Sequence, residues 1–177
     1  MKSYAVAYVI LIVAVLIVVF VWRSTAGRRV AEPDIDFVMD RHAEDAVIEA
    51  QEKYTVVLDY SPASVEKVDA ILAGLHSEYV KHPVDEKTVG RQSRLWGAYL
   101  GAVIKKVRPA KWEIDSDVAG KGSLPLVFGP KSQTFPCAWT YKRIVNGDED
   151  NIIVKYQLLI TDRDKPREGL SFPRSSQ

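Results

Sequence analysis

The sequence contains very little cysteine and histidine. Cys137 is the single cysteine among 177 residues, which excludes an intramolecular disulfide. Its setting, FPCAW, is typical of a buried strand, where a free cysteine is commonly a small apolar filler. The three histidines, His42, His76 and His82, lack the spacing and the neighbouring cysteines or carboxylates of a metal site. We therefore predict no metal and no cofactor.

The chain also has almost no net charge, at +1 overall. This balance is uneven, because residues 1–29 contain four basic side chains and no acid, which leaves −3 for the remainder. Nucleic-acid binding usually requires a strongly basic surface. We therefore predict no nucleic-acid partner.

Sequence motifs for catalysis are missing as well. The chain has no GxSxG, no P-loop and no GxGxxG sequence, so it lacks the usual signals of hydrolases and nucleotide-binding enzymes. Two acidic clusters, at Asp34 and Asp36 and at Asp148 and Asp150, do not continue into a calcium loop. They are more typical of charge at a helix N-terminus. We predict no catalytic residue from the sequence.

A long apolar run is the dominant feature that is present. Residues 4–22, YAVAYVILIVAVLIVVFVW, contain no charged residue, proline or glycine. A helix of that length spans about 28 Å, close to the ~30 Å apolar core of a bilayer. We expect residues 1–22 to form an N-terminal anchor, with a single transmembrane helix over residues 4–22 inserted in the lipid bilayer.

Two alternatives concern this anchor. Ser24 and Ala26 offer a cleavage site for a signal peptide, but the apolar run exceeds the usual h-region and ends in the interfacial pair Trp22-Arg23. The positive-inside rule favours a cytoplasmic domain, because the C-terminal flank holds three arginines. The margin is about one charge, so an extracytoplasmic domain is the alternative. The predicted location is the inner (plasma) membrane.

The rest of the chain suggests one domain between two loose segments. Residues 23–33 form a linker with serine, threonine and glycine. Residues 34–160 have the length of one ordinary domain. Residues 161–177 contain seven charged residues, two prolines and few apolar residues, which predicts a disordered tail.

Three helices are predicted at the start of this domain. Apolar residues at three-and-four spacing indicate helices over residues 34–53, from Ser61 to about residue 80, and over residues 85–107. Ser61-Pro62 is a favoured N-cap and first-turn pair, and His82-Pro83 ends the second helix. Residues 54–58 are expected to be a connector or a short edge strand.

The third predicted helix contains two glycines four residues apart, Gly97 and Gly101. Small residues at this spacing allow another backbone to approach closely. Because charged residues flank them, this helix is not a second membrane span. We expect tight packing against a strand or helix of the same domain, with a dimer contact as the alternative.

The pattern then changes to that of strands. Alternation over residues 111–115, 123–128 and 134–145 predicts three strands of a mostly antiparallel sheet. Asn146-Gly147 is a turn signal. Residues 152–160 are then either a helix capped by Asp148 or a fourth strand paired through this turn, and the acidic cap and apolar spacing favour the helix. The fold class is α+β, with helices packed on a small sheet.

Aromatic and basic residues of the strand region are the one functional lead. Trp112, Trp139, Tyr141, Lys142 and Arg143 are expected on adjoining strands, and aromatic residues and arginine are common interface anchors. The alternative places the aromatic residues in the core and the basic ones on a solvated edge. The candidate interaction face consists of Tyr99, Trp112, Lys142, Arg143 and Asp150.

Three segments together resemble a family of small uncharacterised bacterial domains. They are LDYSPASVEKVDAIL, then LWGAYLGAVIKKV followed by a tryptophan, and FPCAWTYKRIVNGDEDNI. The resemblance covers residues 37–156 and implies an α+β fold. Ala102 stands where the GAYLGEV-type helix of this family has an acid. The family has no established activity, so the resemblance implies no functional residues.

The sequence thus favours a membrane-tethered, non-catalytic interaction or accessory domain with an unidentified protein partner. An enzyme that acts on envelope components through scattered residues is the alternative. A lipid-headgroup binder that uses the basic linker is a third hypothesis.

Overall fold

A computed structural model describes residues 34–129 and 132–161 of the chain, which belong to one compact unit. Among these residues there are five α-helices, one short 3₁₀ helix and three strands. The helices are α1 (Ile35–Tyr54), α2 (Ser64–Lys81), α3 (Glu86–Val107), α4 (Pro136–Asn146) and α5 (Ile152–Thr161). The strands are β1 (Lys111–Trp112), β2 (Leu126–Gly129) and β3 (Ser132–Thr134). The predicted α+β class is therefore confirmed.

The predicted anchor, the linker and nearly all of the predicted tail lie outside the described residues. In the part of the chain that the structure describes, no helix combines the length and apolarity needed to cross a membrane. The predicted span over residues 4–22 therefore stays a prediction.

Helix α3 forms the centre of the domain and packs most extensively against α1 and α4. Helix α1 runs antiparallel to α3, since Lys105 near the end of α3 contacts Asp36 and Gln92 near its start contacts Glu49. Ten residues of α3 are buried: Val89, Ser93, Trp96, Gly97, Ala98, Tyr99, Leu100, Gly101, Val103 and Ile104.

Local capping explains where two of the helices begin. The Asp34 carboxylate accepts a hydrogen bond from the Asp36 amide, and the Asp85 carboxylate accepts one from the Thr88 amide. Both acids satisfy a backbone donor that the first helical turn leaves unpaired. The predicted bounds of α1 and α3 are therefore close to the observed ones.

The two glycines of α3 allow the close packing that their spacing predicted. A Cβ atom on Gly97 would lie 2.5 Å from the Cys137 Cα atom, and one on Gly101 would lie 2.2 Å from the Trp112 ring. Each distance is far below van der Waals contact, so only glycine fits here. The prediction that they pack within the domain is confirmed.

The strands form a small antiparallel sheet in the order β1-β2-β3. Trp112 pairs with Leu126, and Leu126 pairs with Thr134. The sheet joins the helices chiefly through Trp112, whose amide donates a hydrogen bond to the Asp36 carboxylate. The helices therefore pack mainly on one another rather than on one face of a sheet.

The predicted strand over residues 134–145 is wrong. Only Thr134 belongs to a strand, and Pro136 begins α4. Pro136, Thr140, Arg143 and Ile144 are the buried residues of α4, and they recur with the period of a helix. Two of these four are polar, which is why the hydrophobic pattern did not show this period.

Two predicted helix caps are also wrong. Helix α2 begins at Ser64 rather than next to Ser61, whose hydroxyl donates a hydrogen bond to the Asp59 carboxylate instead. Helix α5 is a helix, as favoured, but Asn151 caps it by accepting hydrogen bonds from two amides of its first turn. Asp148 lies in the preceding 3₁₀ helix, Gly147–Asp150. Residues 54–58, at the end of α1, form no strand.

Candidate functional site

Tyr99 of the candidate face is fully buried in the core. Its hydroxyl donates a hydrogen bond to the Ser64 hydroxyl over 2.7 Å and accepts one from the Tyr60 amide over 2.8 Å. Its ring stacks on that of Tyr60, with 4.9 Å between ring centroids. Burial raises the pKa of the Tyr99 phenol. Tyr99 therefore ties the start of α2 to α3.

Trp112 is also buried, with its ring packed against Gly101. Its indole nitrogen has no hydrogen-bond partner among the described residues. Its backbone amide bonds to Asp36, which also accepts a hydrogen bond from Lys105. Trp112 thus anchors β1 to the helices and offers no exposed surface.

Arg143 is buried as well, at 2% exposure. Its guanidinium donates to both carboxylate oxygens of Asp69 in α2 and forms an ion pair with the exposed Asp148. The hydrogen bond to Asp69 raises the pKa of Arg143. It therefore stabilises the junction of α2, α4 and the 3₁₀ helix and is not part of a solvated edge.

Lys142 and Asp150, by contrast, share one open groove of about 580 Å³. We call it the cationic groove. Helix α3 forms one wall with Gly90, Ser93 and Arg94. The loop before β2, together with α4, the 3₁₀ helix and α5, completes it with Ala119, Gly122, Ser123, Leu124, Phe135, Cys137, Ala138, Trp139, Tyr141, Lys142, Asp150 and Lys155.

The charges that line the cationic groove are three basic residues and one acid. Lys155 is paired with the acid, Asp150, which also accepts a hydrogen bond from the Asn146 amide nitrogen over 2.7 Å. The contact with Lys155 lowers the pKa of Asp150. Arg94 and Lys142 are both exposed and form no ion pair within the described part of the chain. The groove therefore presents two exposed basic groups that form no ion pair there, of which Lys142 lies near enough to Asp150 to help lower the pKa of that acid.

The floor of the cationic groove is apolar and aromatic. Phe135, Trp139 and Tyr141 are half-buried beside Leu124. Aromatic side chains offer a large contact area with few rotatable bonds. The groove thus combines apolar contact surface with positive charge.

The thiol of Cys137 also lies at this groove. Burial raises the pKa of Cys137 to about 12. A thiol with that pKa is almost entirely protonated at neutral pH, and only the thiolate is a good nucleophile. Cys137 therefore contributes packing against Gly97, from helix α4 rather than from the buried strand that its sequence setting predicted.

The backbone of Leu124 adds hydrogen-bonding groups to the groove. The flanking carbonyls of Ser123 and Pro125 accept hydrogen bonds from the β1 strand and its extension, so the N–H and C=O of Leu124 point to the opposite side. The structure shows no hydrogen bond to either group within the residues it describes. Leu124 thus leaves one ladder position open.

Arg94 and Leu124 were missed by the sequence reasoning. Arg94 lies on an amphipathic helix, where an exposed arginine is ordinary, and Leu124 was assigned to a predicted strand. Their position next to α4 follows from contacts between distant segments. The aromatic and basic run WTYKR was the one signal of this groove in the sequence.

Metal binding is not indicated in the part of the chain that the structure describes. No group of three histidine, cysteine, aspartate or glutamate side chains is placed there to hold an ion. His76 instead contacts the neighbouring helix: its Nδ1 atom in α2 lies 2.8 Å from the Ile144 carbonyl oxygen in α4.

Comparison of the chain with known proteins gave no match to a protein-family model, to a curated protein or to a solved structure. The resemblance to small bacterial domains therefore stays a prediction from the three sequence segments.

Proposed function

We propose that this chain is a non-catalytic interaction domain, tethered to the inner membrane, that binds a segment of a protein partner in the cationic groove. The observation that carries the proposal is the combination of aromatic side chains with the exposed charges of Arg94 and Lys142 in one groove. Tryptophan, tyrosine and arginine supply most of the binding energy at protein interfaces.

The size of the groove supports a specific contact. Its volume of about 580 Å³ lies within the ~300–1,000 Å³ range of ligand sites. A partner segment would cover the half-buried rings of Trp139 and Tyr141 and would bring its own polar groups to the basic rim. The apolar contact supplies affinity, and the charges select the partner.

The tether rests on residues 4–22, which have the length and composition of a membrane span. The 11 residues from 23 to 33 can extend up to about 36–40 Å, so the domain would have freedom to reach a membrane protein. The arginines at positions 23, 28 and 29 favour a cytoplasmic domain. The partner would then be a membrane-bound or membrane-proximal protein.

Crosslinking and capture from detergent extracts test the groove. We expect the native chain to enrich a defined partner that an Arg94→Glu/Lys142→Glu variant loses. A Lys87→Glu/Lys111→Glu variant carries the same charge change outside the groove and should retain the partner. Equal recovery with both variants would contradict the proposal.

Removal of residues 4–22 tests the tether. The truncated chain should leave the membrane fraction, whereas the full chain should resist extraction with carbonate and high salt. A full chain that is found in the soluble fraction, with a mature N-terminus near Gly27, would contradict a retained anchor. A C-terminal reporter fusion that is active only in the periplasm would place the domain on the other side.

A further inference from the structure

We propose that the partner segment is an extended acidic peptide that pairs with the backbone of Leu124 as a short added strand. This inference rests on the proposed function, because it specifies the chemistry of what the cationic groove binds. Two features carry it: an open ladder position at Leu124 and a pair of exposed cations, Arg94 and Lys142, beside aromatic side chains.

The open ladder position arises where β3 gives way to α4. The register pairs Leu126 with Thr134, so the next residue to pair with Leu124 would be Pro136. Pro136 has no N–H group and begins α4, which takes the chain away from the sheet. An extended peptide could take the place that β3 leaves. Pairing with an exposed ladder is a common mode of peptide recognition.

The basic groups make an acidic peptide the best match. Arg94 and Lys142 flank the groove from α3 and α4, and Lys155 is already neutralised by Asp150. Carboxylates of an extended peptide that are two residues apart lie on the same face. They can therefore approach both cations, while an apolar side chain of the peptide contacts the aromatic floor. Such charge-assisted hydrogen bonds are the stronger kind.

The backbone of Leu124 favours a peptide over lipid headgroups. Lipid headgroups have no peptide N–H and C=O groups to pair with those of Leu124, whereas an extended peptide has both.

Peptide binding by the full-length protein in detergent micelles tests the charge. The probe is a fluorescein-labelled peptide, Glu-Val-Glu-Phe-Glu, and its neutral match is Gln-Val-Gln-Phe-Gln, both followed by fluorescence anisotropy. We expect the acidic peptide to bind at least about tenfold more tightly. Its binding should weaken as salt rises from about 50 to about 300 mM.

Matched variants locate the binding site. Arg94→Gln/Lys142→Gln should lower the affinity for the acidic peptide by at least about tenfold. Lys87→Gln/Lys111→Gln removes two exposed cations outside the groove and should leave the affinity unchanged. Equal effects of the two variants, or equal binding of both peptides, would overturn the proposal.

Backbone methylation tests the added strand. N-methyl groups on alternate residues of the acidic peptide block one edge of an extended chain and leave the other edge open. One methylated set should abolish binding and the other should preserve it. Equal binding of both sets would overturn strand pairing.

Lipid nanodiscs test the competing ligand. If phosphatidylglycerol nanodiscs suppress peptide binding more than phosphatidylcholine nanodiscs do, and do so through Arg94 and Lys142, headgroups occupy the groove and the peptide assignment fails.

The capture and peptide experiments separate this inference from the proposed function. If the groove variants lose the captured partner but no acidic peptide binds, the peptide chemistry is wrong and the proposed function stands. If no partner depends on the groove but the acidic peptide binds as described, the proposed function is wrong and the peptide chemistry of the groove stands.

Discussion

Arg143 and Asp69 form a doubly hydrogen-bonded ion pair in the interior of the domain. The Nε atom of Arg143 lies 2.9 Å from Oδ1 of Asp69, and the Nη2 atom lies 3.2 Å from Oδ2. Asp69 also accepts hydrogen bonds from the Ile152 amide and from the Asn151 side chain. One carboxylate of α2 therefore positions α4 and the start of α5, the elements that form one side of the cationic groove.

Loss of one partner of this pair should strongly destabilise the fold. Arg143→Met or Asp69→Ala leaves a buried group uncompensated, which typically lowers the free energy of unfolding by about 3–5 kcal/mol. Asp69→Ala should lower the free energy of unfolding further than Arg143→Met does, because the Asn151 side chain and the Ile152 amide also lose their acceptor. Urea unfolding, followed by tryptophan fluorescence, measures both variants.

The control for this experiment is Asp148→Ala. Asp148 contacts the same guanidinium, but its side chain is 95% exposed. Exposed ion pairs contribute about 0–1 kcal/mol, so this variant should be near neutral. If Asp148→Ala lowered the free energy of unfolding as much as Asp69→Ala does, burial of the Asp69 pair would not explain the loss of stability.

The glycines of α3 should tolerate no side chain. Gly97→Ala would force its new methyl group against the backbone of Cys137, and overpacking of this kind costs about 1–3 kcal/mol. Gly74→Ala is the matched control, because nothing lies within 4 Å of its Cβ position in α2. It should raise the free energy of unfolding by about 0.5–1 kcal/mol. A stabilising effect of both changes would contradict the packing of α4 on α3.

The Tyr99 hydroxyl should contribute more to the stability of the fold than the hydroxyl of an exposed tyrosine. Tyr99→Phe removes the acceptor of the Tyr60 amide and the donor to Ser64. An unsatisfied buried donor costs about 1–3 kcal/mol. Tyr141→Phe is the comparison, since the Tyr141 hydroxyl has no hydrogen-bond partner among the described residues, and it should change stability little. Thermal unfolding of both variants measures the difference.

Cys137 should make the domain less stable in alkali. Its thiol has an ordinary pKa of 9.0, and burial raises this pKa to about 12. Below pH 9 both states keep the proton. Between pH 9 and 12 the unfolded state loses its proton while the folded state keeps it, so stability falls as the pH rises. Unfolding midpoints measured across this range should fall less steeply for Cys137→Ala than for the native chain. An unchanged slope would show that the thiol titrates normally in the fold.

A thiol reagent offers an independent measure of the same group. The native chain at pH 8 should react slowly, and the chain in urea should react quickly, because only the thiolate attacks. Fast reaction of the folded chain would contradict the raised pKa.

Several elements could be predicted because their signals are local. The bounds of α1 and α3 follow from apolar spacing and from the caps Asp34 and Asp85, and the end of α2 follows from His82-Pro83. The close approach at Gly97 and Gly101 follows from residue size. Each of these signals lies within a few residues of the feature it predicts.

The largest error, by contrast, lies where polar residues are buried. Helix α4 was predicted as a strand because residues 134–145 were interpreted as alternating, which separates Thr140 from Arg143, whereas both are buried in one helix. Thr140 is buried by its hydrogen bond to the Ser93 carbonyl, and Arg143 by its pair with Asp69. These partners are 47 and 74 residues away in the sequence, so no local pattern contains them.

The sequence by itself determined the α+β class, the helices α1, α2, α3 and α5 and the presence of a membrane-length apolar segment at residues 4–22, since periodicity and run length suffice for these. The tertiary structure decided which residues meet in the cationic groove. It buried Tyr99, Trp112 and Arg143, left Lys142 exposed, and brought Arg94 and Leu124 beside it. The physical reason is that a groove between segments exists only after distant parts of the chain have packed together.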